Sequence, residues 1–263
     1  MNCKVCGNET SQLFNKQVLN KYSVNYYQCT NCGFIETDEP HWLNEAYSSA
    51  ITATDIGLIN RNVYFTEVST ALLRLCGFDR SKKYLDYGAG YGIYVRMMRD
   101  NGFNFYWQDE YCENLYAQKF SADLSKANKE YELVTAFEVF EHLTNPTKEI
   151  EKILQYTDSI LFSTQLVNSA NTTLENWWYI APEHGQHVAF YDIKTLQFIA
   201  DKYGLNVYSN NSTLHLLTKK RLSSFKFKLF SRIRLAKLYN LIFPTKTLLD
   251  SDYELYMKDV KNI

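Results

Sequence analysis

Residues 85 to 92 read LDYGAGYG, an apolar run that closes on an acid and then places three glycines at alternate positions. KYLDYG has the composition of a strand, and YGIYVRMMRDNG has the spacing of a helix that ends at Gly102. A strand joined to a helix through glycines lets the backbone turn sharply and approach a ligand with no Cβ in the way. The pattern D-x-G-x-G-x-G departs from the dinucleotide fingerprint G-x-G-x-x-G: its third glycine comes one residue early, and Asp86 stands two positions ahead of the first. An acid there disfavours a phosphate and suits an ammonium group. Asp109, about 20 residues on at the end of the next strand, suits both hydroxyls of a ribose. An amino acid joined to a nucleoside meets both demands.

The pattern continues downstream. FNFYWQD reads as a strand followed by a helix from Cys112, and YELVTAFEV as a strand with a helix from Thr147 to Tyr156 behind it. SILFSTQ is a further strand, and DIKTLQFIADKYG is a helix capped by Asp192 and closed by Gly204. LNVYS and TLHLLTK face each other across NNS as a hairpin. Strands separated by helices predict an α/β fold with a mostly parallel sheet covered on both faces. Upstream, EPHWLNEAYSSAITATDIGLINRNVYFTEVSTALLRLCGF reads as helical.

Four of the six cysteines form two C-x-x-C pairs, Cys3 with Cys6 and Cys29 with Cys32, each followed by a glycine. Two knuckles at this separation predict a structural four-thiolate zinc ribbon with no open coordination position. A disulfide framework is the rival, and it requires an oxidising compartment. The first ten residues show no apolar h-region and no stretch approaches ~20 apolar residues, so the expectation is a soluble, cytoplasmic protein. Cys76 and Cys112 read as core packing. The expected organisation is a ribbon over 1–40, a main domain over 41–218 and a basic helical segment over 219–263. A net charge of −1 in 263 residues argues against a whole-protein nucleic-acid binder, and no dedicated nucleic-acid domain is apparent.

The glycine loop resembles motif I of the class I S-adenosylmethionine-dependent methyltransferases, and the succession of elements from residue 83 to 219 is similar to their sheet. The resemblance implies a Rossmann-like, seven-stranded, mostly parallel sheet with an antiparallel last strand. It implies S-adenosylmethionine as cofactor, with Asp86, Gly88, Ala89 and Gly90 bordering its methionine part and Asp109 holding the ribose. Asp123 would stand near the adenine, and Phe137 and Glu138 would line the cofactor after the fourth strand. WLNEAYSSAITATDIGLINRN and WWYIAPEHGQHVAFY further resemble zinc-ribbon methyltransferases encoded with bacterial surface-polysaccharide (capsule) enzymes.

FEVFEHL, residues 137 to 143, would stack Glu138, Glu141 and His142 on one face if a helix began there. APEHGQHVAFY brings Glu183, His184 and His187, preceded by Trp177, Trp178 and Tyr179, which read first as packing. E-x-x-E-H with a distant histidine is similar to the metal site of plant small-RNA 2′-O-methyltransferases, and some ubiquinone-pathway O-methyltransferases share part of it. Matched by position, the ligands of Mg²⁺ or Mn²⁺ would be Glu138, Glu141, His142 and His187, with His184 or His187 as base. The alternative is a metal-free histidine base beside a turn that caps a helix.

The implied reaction is O-methylation of a small acceptor, anionic or nucleotide-linked, on the way to a surface polysaccharide. C-methylation of a nucleotide-linked keto sugar and RNA 2′-O-methylation are the alternatives. Residues 219–243 interleave Lys and Arg with Phe, Leu and Ile, as in a peripheral membrane or partner-docking helix.

Overall fold

The structure is a computed structural model and describes residues 1–47, 55–125, 128–167 and 174–260. Along the chain run β1 (Thr10–Val18), β2 (Tyr22–Cys29), β3 (Ile35–Thr37), α1 (Leu43–Ala46), α2 (Leu58–Leu75), β4 (Lys83–Tyr87), α3 (Ile93–Asp100) and β5 (Asn104–Gln108). Next come β6 (Tyr131–Ala136), α4 (Pro146–Ile153), β7 (Ser159–Ser163), β8 (Ala189–Phe190), α5 (Ile193–Lys202), β9 (Asn206–Ser209) and β10 (Leu214–Thr218). The helices α6 (Ser224–Phe230), α7 (Ile233–Ile242) and α8 (Leu249–Val260) end the chain. Residues 48–54 of the stretch read as helical lie outside the described residues.

One sheet has the order β5-β4-β6-β7-β10-β9. Its β4 pairs in parallel with β5 and with β6, while β9 and β10 form an antiparallel hairpin. All of β7 and all but the first residue of β4 are buried, as strands covered on both faces require. At the β5 edge, where a seventh strand is expected, a single parallel bridge joins Trp107 to Ser121. The residues that follow, ADLSKANKE, supply too few apolar side chains for a longer pairing. The β9–β10 turn is closed by Asn210, whose Oδ1 accepts from the amides of Ser212, Thr213 and Leu214. Asn211 takes the left-handed φ of 64° there.

The chain forms two compact units that interleave in sequence. One comprises Met1–Ala50, Phe137–Leu154 and Leu161–Arg221, and the other Ile51–Ala136, Gln155–Ile160 and Leu222–Ile263. In the first, an antiparallel sheet of order β1-β2-β3-β8 takes its last strand from 150 residues downstream of the ribbon. Its core gathers Val18, Val24, Tyr26, Ile35 and Trp42 against Tyr179, Ile180, Val188 and Phe190. The Trp42 indole donates to Gly185 O at 2.8 Å.

In the second unit, Tyr84 stacks on Phe105 at 5.1 Å and α2 buries Val68, Ala71 and Leu72. Here α8 is fixed by charge. Arg99 donates through Nε and Nη2 to the two carboxylate oxygens of Asp252, at 2.8 and 2.7 Å, and Arg96 adds a third contact at 2.8 Å. Arg99 also lies 3.5 Å over the Phe120 ring. With Arg99 and Asp252 only 5% and 4% exposed, loss of one partner leaves a buried charge alone. Asp252→Ala is expected to lower the unfolding free energy by about 3–5 kcal/mol, measured by urea denaturation.

Candidate active site

Gly88, Gly90 and Gly92 have φ of 72°, 54° and 84°, the left-handed region that side chains resist. A Cβ on Gly92 would also come within 2.9 Å of Asn114 Oδ1 and 3.3 Å of the Ala117 amide nitrogen. The loop after β4 is held to the end of β5. Gly88 and Ala89 donate to Gln108 O at 3.0 Å, Trp107 Nε1 donates to Gly90 O at 2.8 Å, and the Gly90 amide donates to Asp109 Oδ2 at 2.8 Å. Asp109 Oδ1 accepts from the Tyr111 and Cys112 amides at 2.7 and 2.8 Å. Three of its roughly four acceptor positions are therefore filled by backbone. The same carboxylate replaces the helix expected from Cys112 with a polar turn, and only the one-turn helix Gln118–Phe120 follows. Asp123 accepts from the Ser125 amide at 3.0 Å.

Asp86 is 4% exposed and takes a 2.6 Å hydrogen bond from Thr135 Oγ1. Burial lifts its carboxyl to about 7; the Thr135 bond opposes the shift and the Asp109 charge adds to it. No cationic side chain among the described residues offsets this. A buried acid at the mouth of a glycine turn, short of a countercharge, fits the ammonium end of an aminoacyl ligand.

In the other unit the expected helix at FEVFEHL is a single tight turn, Phe140–His142. Phe137 is half-buried. Glu138 precedes the turn with a φ of 55°, so it does not stack with Glu141. Its amide donates to Ser163 Oγ at 2.7 Å, and that hydroxyl donates back to Glu138 Oε1 at 2.7 Å. Glu141, His142 and His187 do come together: one ligand atom from each lies within 4.8 Å of the others. Glu138 is not part of this group.

Glu141 is fully buried, and neither carboxylate oxygen has a hydrogen-bond partner. Burial, then the Glu138 charge, pushes its carboxyl up to about 8; nearby Tyr179 and Thr164 hydroxyls oppose this without reaching hydrogen-bond geometry. Burial, then His187, holds His142 down at about 3, and burial lowers His187 as well. Both imidazoles turn Nδ1 toward backbone. His142 Nδ1 lies 3.1 Å from Gln186 O and 2.9 Å from Tyr47 Oη, and His187 Nδ1 lies 2.6 Å from Tyr179 O. With Nδ1–H donating to those carbonyls, each Nε2 is left as an unprotonated ligand atom. Two neutral imidazoles and a carboxylate with four empty lone pairs form a donor set for a divalent cation.

His184 is partly exposed and lies 3.8 Å from Glu183, outside the group. His215 is buried, with its nitrogens bonded to Ser209 Oγ and Thr164 O. No motif singles out Tyr47, which meets His142, or Thr164, which lies by Glu141, and Tyr179, read as packing, also lies beside Glu141.

All four ribbon cysteines are free thiols. Cys3 and Cys32 sulfurs are 3.6 Å apart, Cys6 and Cys29 3.3 Å, and all four fall within 4.8 Å. A tetrahedral zinc with bonds of about 2.3 Å sets its sulfurs about 3.8 Å apart, so the group fits. The Val5 and Cys32 amides point at Cys3 and Cys29 sulfurs, at 3.4 and 3.5 Å, as they would toward thiolates. Gly7 and Gly33 take the left-handed φ of each knuckle.

No curated protein sequence matches the chain. Among solved structures it is similar to an O-methyltransferase family protein from Burkholderia thailandensis, at 14% identity over 69% of this chain and 68% of that one, TM-score 0.43. It is similar to the Synechocystis PCC 6803 magnesium protoporphyrin IX methyltransferase with bound SAH, at 14% identity over 68% and 94%, TM-score 0.44. A third is Haemonchus contortus phosphoethanolamine N-methyltransferase 2 in complex with S-adenosyl-L-methionine, at 13% over 74% and 55%, TM-score 0.47. The chain spans 46–68% of the length of most such neighbours. A family model described as a methyltransferase domain matches residues 60–210. More than half of the chain, including the glycine turn and the Glu141 group, falls in that match, and the protein therefore belongs to the methyltransferase-domain family and is an enzyme of the S-adenosylmethionine-dependent class.

Proposed function

We propose that the chain O-methylates a small sugar- or phosphate-containing precursor of a surface polysaccharide, in the cytoplasm, with a divalent cation, Mg²⁺ or Mn²⁺, held by Glu141, His142 and His187. The observation that carries this reading is Glu141. A carboxylate with both oxygens buried and unpartnered is costly, and with a nitrogen from each of two imidazoles within 4.8 Å a cation is the economical solution. A base held as low as His142 has little drive to take a proton, so a metal-free reaction would fall to His184 or His187. The polysaccharide assignment rests on the resemblance of WLNEAYSSAITATDIGLINRN and WWYIAPEHGQHVAFY alone. No helix among the described residues is long and apolar enough to cross a membrane.

In this reading Asp86 binds the ammonium of the methyl donor while Gly88, Ala89 and Gly90 let the backbone close on it. Asp109, pinned by three amides, offers its remaining lone pair to the ribose, and Asp123 stands on the adenine side. Phe137 and Glu138 border the same cofactor. Glu141, His142 and His187 hold the cation, Tyr47 and the Gln186 and Tyr179 carbonyls orient the two rings, and His184 stands as base or acceptor contact. A divalent cation, when bound, lowers the pKa of an acceptor hydroxyl and fixes its oxygen toward the sulfonium methyl. Cys3, Cys6, Cys29 and Cys32 hold a structural zinc, which orders a ribbon too small to fold on its own core.

Each assignment has its own test. Glu141→Gln is expected to lower kcat by about 100-fold or more with the cofactor Kd within about threefold. Chelation should abolish activity and Mn²⁺ or Mg²⁺ restore it in the parent protein only; a fully active Glu141→Gln enzyme would sink the metal assignment. Cofactor binding should tighten as pH rises through about 7, because the ammonium needs Asp86 ionised and burial raises that acid. Calorimetry in two buffers of different ionisation enthalpy would detect the released proton, and Asp86→Asn should abolish it and weaken binding. For folding the sign is opposite. Between about 3.9 and about 7 the folded protein holds the extra proton, so stability without ligand falls as pH rises across that window. Purified protein should carry about one zinc per chain by elemental analysis, and Cys29→Ser little or none.

A further inference from the structure

Residues 219 to 249 contain nine of the chain's 28 Lys and Arg and none of its 29 Asp and Glu. The part of this stretch that forms α6 and α7 packs one face on α2 of its own unit. Phe227 and Ala236 are fully buried, Asn240 Nδ2 donates to Glu67 O and Oε2 at 2.9 Å, and Tyr64 Oη donates to Ser231 O at 3.2 Å. The inward face is complete.

The outward face is both basic and apolar. On α7, Arg234, Leu238 and Leu241 recur at i, i+4 and i+7, which places them in one stripe. Leu238 is 53% exposed and Leu241 79%, with Ile242 at 58% beside them and Phe225 on α6 at 74%. Lys226, Lys228, Arg232, Arg234 and Lys237 are all exposed. At the joint between the helices, Tyr64, Ser231, Arg232, Ile233, Arg234 and Leu235 line an open cavity of about 550 Å³.

We propose that this face docks on an anionic lipid surface. Exposed leucines and a phenylalanine enter the acyl boundary, the five cations meet lipid phosphates, and the Arg232–Arg234 cavity takes a headgroup. Charge decides among occupants. A cationic face with no acid offers a second copy of itself only repulsion, whereas a phosphate-covered surface matches it, and one large apolar side chain every turn suits an acyl boundary. The inference is independent of the reaction assigned above.

The test is co-sedimentation of the full chain, without methyl donor, with vesicles of phosphatidylglycerol and phosphatidylcholine in equal parts, against phosphatidylcholine alone. Binding is expected to the anionic vesicles only and to fall as salt screens it. Leu238→Gln with Leu241→Gln should reduce the bound fraction about tenfold. Lys226→Gln with Lys228→Gln and Arg234→Gln should do the same without touching an apolar group. All five positions are exposed, and unchanged melting curves would verify folding. Equal binding to both vesicles, binding to neither, or undiminished binding by both variants overturns the proposal. So does a parent protein that ignores vesicles but self-associates in light scattering, or retains RNA, through these residues.

Discussion

A carboxylate taken out of water must find a countercharge or keep its proton, and the way this chain meets that condition separates its scaffold from its chemistry. Asp252 is buried and satisfied, with Arg99 in a fork and Arg96 alongside; it fastens α8 and asks for nothing more. Asp86 and Glu141 are also buried, and among the described residues no cationic side chain offsets either. Asp86 has one hydroxyl, from Thr135. Neither carboxylate oxygen of Glu141 has a hydrogen-bond partner. A fold tolerates such deficits where a ligand removes them, and the two deficient acids occupy the glycine-turn unit and the ribbon unit respectively, one suited to an ammonium and the other to a metal ion.

The three histidines of the two motifs are sorted by the same physics. His142 and His187 are buried with Nδ1 against backbone oxygens, which sets their tautomer, and burial disfavours their protonated form. His184 stays near solvent beside Glu183. A motif that reads as three comparable imidazoles thus divides into two ligands and one group of different character, and burial draws the line.

How much of this was legible in the sequence depended on the range of the interaction that fixed each element. The glycine turn and the cysteine knuckles are set by residues within a few positions of each other, and both could be read directly. The β9–β10 hairpin was visible in NNS for the same reason, since Asn tolerates left-handed φ and closes the turn with its own side chain. The helix expected after Asp109 gives way to a turn because the Asp109 side chain captures the Tyr111 and Cys112 amides, a competition that propensity does not register. Glu138 does not stack on Glu141 because it takes a left-handed conformation, with its amide on Ser163 25 residues away. His187 meets His142 across 45 positions, and Tyr47 meets it across 95; no periodicity reports such contacts.

The two-residue strand β8 has a reach out of proportion to its length. It begins two positions after His187, completes the ribbon sheet through Ile35 and Phe190, and is preceded by Val188, whose amide donates to Glu141 O and whose carbonyl accepts from Thr37. The ribbon is thus woven into the backbone on which Glu141 and His187 stand, and it cannot be treated as a detachable tag. A shortened chain lacking its first forty residues would leave an open sheet edge and an uncovered apolar patch of Tyr179, Ile180, Val188 and Phe190. It would also remove the Thr37 amide from the carbonyl of Val188, the residue that follows His187 and holds Glu141 O, so that the first forty residues help set the register of His187 against Glu141.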